Sequence, residues 1–368
     1  MRVLLRDSFK ISKCFISEHS QYFFAMRSDV FGILLEPCLN EFESHAVLNP
    51  TAYQEGDYVH LLYRAVRKPN YSSIGYAKTK GPTSVVDKTS LPVLFPEYDF
   101  ECKGCEDPRV TKLDGDFYIL YTAWDGRSSR IAVAKSKDLQ SFEKVGIISP
   151  PISVAEALNL VDVGRYQDAW HRQAAHRGYD SIVGDKDAVL FPRKFGGKYA
   201  MLHRLEPDIQ IVYFDDFADL GSKDFWADYL SNMEGHVVMR RRYWWEDEKI
   251  GAGAVPIQTD EGWLLIYHGV HKSQDTQSIE YRAGASLLNL DDPQIEVARL
   301  KHPLFEPTTH WERNGIVSNV VFPEGTSIFN DDLYIYYGAA DRIVAWRKLP
   351  LNQLLSQLVS LSRRSNPS

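Results

Sequence analysis

DGDFYILYTAW (114–124) opens on an Asp-Gly turn and runs into a strand of aromatic and β-branched residues that closes on small and polar ones. The same pattern recurs in EGDYVHLLYRAV (55–66), GGKYAMLHRL (196–205), EGWLLIYHGV (261–270) and NDDLYIYYGAAD (330–341). Each segment is short, bounded by turn residues and rich in the residue types that pack well on a pleated surface, which points to strands rather than helices. Aligned on their turns, the five place Arg64, Thr122, Arg204, His268 and Gly338 at equivalent positions, at intervals of 58, 82, 64 and 70 residues. A period of roughly 60 to 70 residues accommodates four short strands with generous loops. Five such units predict an all-β chain folded as a five-bladed β-propeller, in which 1–368 is a single domain.

Further strands follow each repeat, at SIGYAKT (73–79), RIAVAKS (130–136), IQIVYFD (209–215) and RAGASLLNL (282–290), each expected to pair back as a hairpin. The long interval of 82 holds residues 151–184, whose Ala/Leu-rich stretch and Arg165–Arg177 segment predict a helical insertion, either a lid or subunit contact or a surface elaboration. Residues 349–364, LPLNQLLSQLVSLSRR, carry apolar residues at helical spacing and predict a C-terminal helix on the rim, with the last four residues frayed.

The composition fits this architecture and narrows the function. Of 368 residues, 44% are hydrophobic and 25% charged, enough apolar material for a sizeable core and too much for disorder. Eight Trp, 20 Tyr and 18 Phe suit β-structure and the stacking of ring faces on sugars. The net charge of -7 disfavours nucleic acid and anionic lipid as partners, so any anion must be held by a local group of basic residues. Nothing in the sequence has the length of a transmembrane helix, and MRVLLRDSFKISKCFISEHS at the N-terminus lacks the apolar core of a signal peptide; a cytoplasmic location is expected. Cys14, Cys38, Cys102 and Cys105 are too few for a disulfide framework, and Cys102-Lys-Gly-Cys105 has neither a second CxxC nor a His pair at zinc spacing.

In a propeller, equivalent strand ends converge on one mouth of the axial channel, which turns the alignment into a site. Arg64, Arg204 and His268 would face one another, and three basic groups around one cavity are costly without an anion between them. GCEDPRV (104–110) puts Glu106 and Asp107 on a loop where one can face the cavity with a raised pKa, as a general acid, while the other pairs with Arg109. Lys186 and Asp187 enter the third unit, Asp341 ends the fifth, and Lys249 precedes Gly-rich KIGAG (249–253), where a backbone can approach a ligand closely.

The ordered series YRA (63–65), CEDPRV (105–110), KDAVLFP (186–192), LHR (202–204), KIGAG (249–253), GWLLIYHGV (262–270), FPEGT (322–326) and YYGAAD (336–341) resembles glycoside hydrolase family 130. That family comprises mannoside phosphorylases and β-mannosidases on a five-bladed propeller. The resemblance implies inverting phosphorolysis of terminal β-1,4- or β-1,2-mannosides to α-mannose 1-phosphate, with inorganic phosphate as co-substrate and no cofactor or metal, and it leaves a homo-oligomer open. By motif, Asp107 resembles the catalytic acid, which acts through the mannose 3-hydroxyl. Arg64, Asn49, Glu106, Asp341 and Tyr281 resemble substrate-binding residues, and Lys186, Arg204, Lys249 and His268 those around phosphate. A hydrolase would instead need a carboxylate base, for which Glu324 and Glu106 are candidates, and a non-catalytic glycan-binding propeller would bind without turnover.

Overall fold

The computed structural model describes residues 30–365 apart from position 276; the N-terminal segment with Cys14 and the last three residues lie outside the described residues. Strand β1 (Phe31–Leu35) comes first and is followed by five antiparallel meanders, the first two joined into one sheet by a parallel bridge between Ser72 and Gly104. The first holds β2 (Ala46–Glu55), β3 (Tyr58–Arg67), β4 (Tyr71–Lys80) and β5 (Ser84–Lys88). The second holds β6 (Gly104–Leu113), β7 (Asp116–Trp124), β8 (Ser129–Ser136) and β9 (Glu143–Ile147), with helices α1 (Val154–Leu160) and α2 (Gly164–Arg177) after it. The third holds β10 (Asp185–Leu190), β11 (Tyr199–Leu205), β12 (Ile209–Phe214) and, beyond helix α3 (Lys223–Ser231), β13 (Val237–Met239). The fourth holds β14 (Lys249–Ala252), β15 (Ile257–Thr259), β16 (Gly262–Lys272), β17 (Ile279–Leu288) and β18 (Glu296–Arg299). After a single-turn helix, α4 (His310–Arg313), come β19 (Val321–Phe329), β20 (Asp332–Ala339), β21 (Ile343–Pro350) and the terminal helix α5 (Leu351–Ser365).

The repeats form β3, β7, β11, β16 and β20, and the expected hairpins are present: Tyr63 pairs with Gly75, Leu120 with Val133, Leu202 with Ile211 and Ile266 with Ala285. The turns that open the repeats take the conformations their residues allow, as with Asp114 (φ 53°) and Gly115 (φ 87°), both in the left-handed region that a tight hairpin requires. These strands do not alternate buried and exposed. β16 is buried from Gly262 to Val270, because the sheets are covered on both faces.

Five cores do the covering, each shared by consecutive meanders. Leu62 and Ile74 pack with Ile119 and Tyr121 between the first and second, and Leu120 and Val133 with Leu190 and Met201 between the second and third. Leu202 and Ile211 meet Trp263 and Tyr267, and Leu264 and Ile266 meet Leu333 and Ile335. The fifth core returns to the start, joining Tyr336 and Val344 to Val47, Leu61 and Tyr63. Strand β1 pairs with β21, so the N-terminal side of the described chain completes the sheet made by its C-terminal side. Among the described residues no helix is long and apolar enough to cross a membrane.

The insertion is helical, as expected, and is part of the core. Tyr166 and Trp170 of α2 are 0% and 1% exposed and lie in the same cluster as the second and third meanders. Helix α3, which the sequence reading did not anticipate, adds Trp226, Tyr229 and Leu230 to that cluster. Helix α5 buries Leu354 and Leu358 against the fourth and fifth meanders. Cys38, Cys102 and Cys105 are free thiols.

Candidate active site

The first strands of the first three meanders share one device. In β2, β6 and β10 the register slips between Leu48 and Thr51, Glu106 and Arg109, and Lys186 and Val189, and the residue pushed out is Asn49, Asp107 or Asp187. All three have φ near +50° (50°, 51° and 57°), where Asn and Asp are tolerated far better than branched residues. Each bulge turns a short polar side chain inward at the level of the equivalent residues on the repeat strands: Arg64 pairs with Leu48, Thr122 with Glu106, Arg204 with Lys186, His268 with Gly251 and Gly338 with Phe322.

Around Asp107 the structure gathers one group of partners. Asn49 Nδ2 donates to Asp107 Oδ1 at 2.7 Å, and Arg64 Nη1 lies 3.4 Å from the same oxygen. Arg64 Nη2 donates to Glu106 Oε1 at 2.7 Å while its Nε donates to Ser72. Lys186 Nζ sits 3.8 Å from Glu106 and 3.9 Å from Asp107. Burial would raise the Asp107 pKa, but Arg64, Lys186 and the Asn49 hydrogen bond prevail and hold it below the usual carboxylate value. The expected raised pKa is therefore absent at Asp107. It occurs at Asp341, on the turn after β20, where burial outweighs Arg64 and lifts the carboxyl to about 6.

Arg109 does not pair with the carboxylate of either Glu106 or Asp107; its Nη1 donates to the Asp107 main-chain carbonyl at 3.1 Å. Its guanidinium is 1% exposed and bonds Glu324 at 2.6 Å, while its Nε donates to the Gly253 carbonyl. Glu324 is itself fully buried, with its pKa pushed well up by desolvation against the pull of Arg109. It lies among the strands with its side chain 0% exposed. Glu106 is committed to Arg64.

A second group gathers around Arg204, which pairs with Lys186 across the strands. Arg204 Nη1 is 2.5 Å from Asp187 Oδ2 and donates to His268 Nε2 at 3.1 Å. His268 is fully buried and held neutral by desolvation and by the charges of Arg204, Arg109, Lys249 and Lys186, so it accepts that bond as an imidazole rather than adding a third cation. Its ring packs on Phe322 at 4.3 Å and near Tyr281 at 5.9 Å. Lys249 Nζ bonds Glu206 at 2.6 Å, and Lys249 and Arg204 draw the Glu206 pKa down to about 2 against desolvation. The basic residues thus converge as the repeats imply, but each cation already faces a carboxylate. Asp187 and Glu206, which pair with these cations, are the carboxylates to which the sequence reading gave no role. For Asp187 the signal was available in the recurrence of Asn49-Pro50, Asp107-Pro108 and Asp187-Ala188 at one strand position. For Glu206, on the loop after β11, no pattern marks it.

The glycines of KIGAG do not make room for a ligand. A side chain at Gly251 would collide with Asp187 and with the His268 ring, so the space is filled by the site's own residues. Gly338 plays the same part beneath Asn49.

The chain matches, over residues 39–359, a family model described as beta-1,4-mannooligosaccharide phosphorylase. It is 34% identical over 322 residues to the 1,2-beta-oligomannan phosphorylase of Thermoanaerobacter sp. (strain X514), covering 85% of this chain and 92% of the relative. It is 36% identical over 320 residues to the beta-1,2-mannobiose phosphorylase of the same organism, covering 82% and 89%. Among solved structures, a beta-1,2-mannobiose phosphorylase from Listeria innocua in complex with beta-1,2-mannobiose superimposes with a TM-score of 0.67 at 24% identity, over 89% of this chain and 95% of that one.

Proposed function

The chain belongs to glycoside hydrolase family 130, and from that premise we propose that it cleaves terminal β-mannosides by inverting phosphorolysis, giving α-mannose 1-phosphate. The five meanders, with cores shared in cyclic order, are read as the blades of a five-bladed propeller forming one domain, with the site at its centre.

One observation carries the reaction type. Lys186 faces Asp107, and Arg204, which pairs with Lys186 across the strands, contacts His268 and shares Glu206 with Lys249. Phosphate is an anionic nucleophile, so cations that bind and orient it replace the carboxylate base that hydrolysis requires. In the step proposed, a phosphate oxygen bonds to C1 as the C1–O glycosidic bond breaks. The leaving oxygen takes a proton relayed from Asp107 through the mannose 3-hydroxyl. Arg64, Asn49, Glu106 and Asp341 hold the mannose, with Tyr281 beside the phosphate. Phosphate arriving near Lys186 offsets the charge that depresses the Asp107 pKa, which favours the protonated acid when it is needed. Direct hydrolysis is disfavoured by the burial of Glu324 against Arg109.

The two relatives matched over more than four-fifths of the chain are named for β-1,2 linkages, which makes β-1,2-mannobiose the first substrate to test and β-1,4-mannobiose the second. Incubation with each, with and without inorganic phosphate, should yield mannose 1-phosphate only when phosphate is present. Free mannose released without phosphate would sink the proposal. Asp107→Asn should keep the fold and lose about 100-fold or more in kcat.

A further inference from the structure

Lys249 and Arg204 face an anion of the protein's own. Glu206 Oε1 lies 2.6 Å from Lys249 Nζ and 3.8 Å from the Arg204 guanidinium, so a single carboxylate oxygen looks at both cations. Arg204 has a second carboxylate in Asp187, but the two acids differ in freedom. The Asp187 side chain is 2% exposed and wedged between Arg204, His268 and the backbone of Gly251, whereas that of Glu206 is 37% exposed. Only Glu206 can turn its charge into water without disturbing its neighbours.

We propose that Glu206 is a displaceable counter-ion that occupies the nucleophile's anion site and sets the affinity for phosphate. The inference rests on the reading of Arg204 and Lys249 as phosphate-binding residues and adds what holds them beforehand. Two buried or half-buried cations left unpaired would be destabilising, and Glu206 compensates them while the site is without phosphate. A phosphate dianion needs the same two partners and repels the carboxylate at contact distance, so Glu206 swings outward as phosphate enters. The apparent affinity is then the intrinsic one reduced by the fraction of molecules in which Glu206 has released the pair. Asp187 stays in place and keeps Arg204 oriented throughout.

Calorimetric titration of inorganic phosphate into the full-length protein tests this directly. Glu206→Gln, which keeps shape and removes charge, should bind phosphate about two- to fivefold more tightly, as expected for loss of one partly exposed ion pair. In turnover, its KM for phosphate should fall by the same factor while the KM for the mannoside is unchanged, a split that a merely structural role would not produce. Glu206→Asp, which keeps the charge, should stay near the wild type. Unchanged or weaker phosphate binding in Glu206→Gln would overturn the proposal, as would a wild type that binds no phosphate. A wild type that binds phosphate yet releases only free mannose would refute phosphorolysis and leave the counter-ion standing. If that free-mannose release vanished in Glu206→Gln, Glu206 would be a base for water and the counter-ion role would fall.

Discussion

Asp107 and Asp341 are carboxyls with opposite titration behaviour in one site, and the difference follows from who touches them. Asp107 accepts from Asn49 and faces Arg64 and Lys186, which keeps it ionised; Asp341 is buried with less compensation and is lifted to about 6. For Asp341 the folded protein binds the proton more tightly than the unfolded chain. Stability therefore falls as pH rises from the unfolded value near 4 through about 6, and the penalty of a buried charge is fully present above that. Asp341→Asn cannot ionise and tolerates the left-handed φ of 54°. It should raise the melting temperature by roughly 1–3 °C at pH 7.5 and leave it unchanged near pH 4, while weakening mannoside binding. An equal shift at both pH values would show that desolvation of this carboxyl is not the cause. At this scale the sequence reveals which residues gather, because Arg64, Arg204 and His268 sit at one repeat position. It does not reveal which of them are charged. The neutrality of His268 and the pairing of Arg109 with Glu324 depend on burial and on contacts between meanders far apart in the chain.

The elements do their work through a defect repeated in register. A regular first strand would place Asn49, Asp107 and Asp187 with their neighbours' alternation; the bulge frees each to point inward. The close fit that results leaves no room under the bulges. Gly251→Ala should lower stability by about 1–3 kcal/mol and disturb the Arg204–His268 contact, seen as a fall in melting temperature together with weaker phosphate binding. Retention of both would mean that Asp187 and His268 can shift aside. The helices after the second meander were read from an Ala/Leu-rich stretch and an unusual repeat interval, but their purpose was not legible, since a lid and a core layer have the same apolar stripe. The contacts decide it: Tyr166 meets Gln210 and Asp208, and Tyr229 meets His203, whose other ring nitrogen faces Asp185 beside Lys186. Trp170→Ala should therefore cost about 3–5 kcal/mol, measured by denaturant unfolding. A loss within about 0.5 kcal/mol would return the insertion to the surface.

Across the whole molecule, charge and topology separate outside from inside. The chain carries -7 overall, yet cations and carboxylates nearly balance where the meanders meet, so the anion site owes nothing to the long-range field. Repeats exposed the number of meanders, while the closing partner of the fifth was not legible, because β1 carries no repeat signature. The pairing of Phe31 with Arg347 and of Leu35 with Val344 ties together two stretches from opposite ends of the chain. Deleting residues 1–36 should expose β21 as an edge, and hydrogen exchange should then show the amides of β21 losing protection before those of β7. Equal protection in both would show that β1 is dispensable. The same pairing bears on synthesis. The ribosome makes β1 well before β21, so until β21 is made the nascent chain carries a strand that its partner cannot yet cover. Folding to the finished form waits for β21, and any product terminated before residue 343 leaves that edge open to association with other chains.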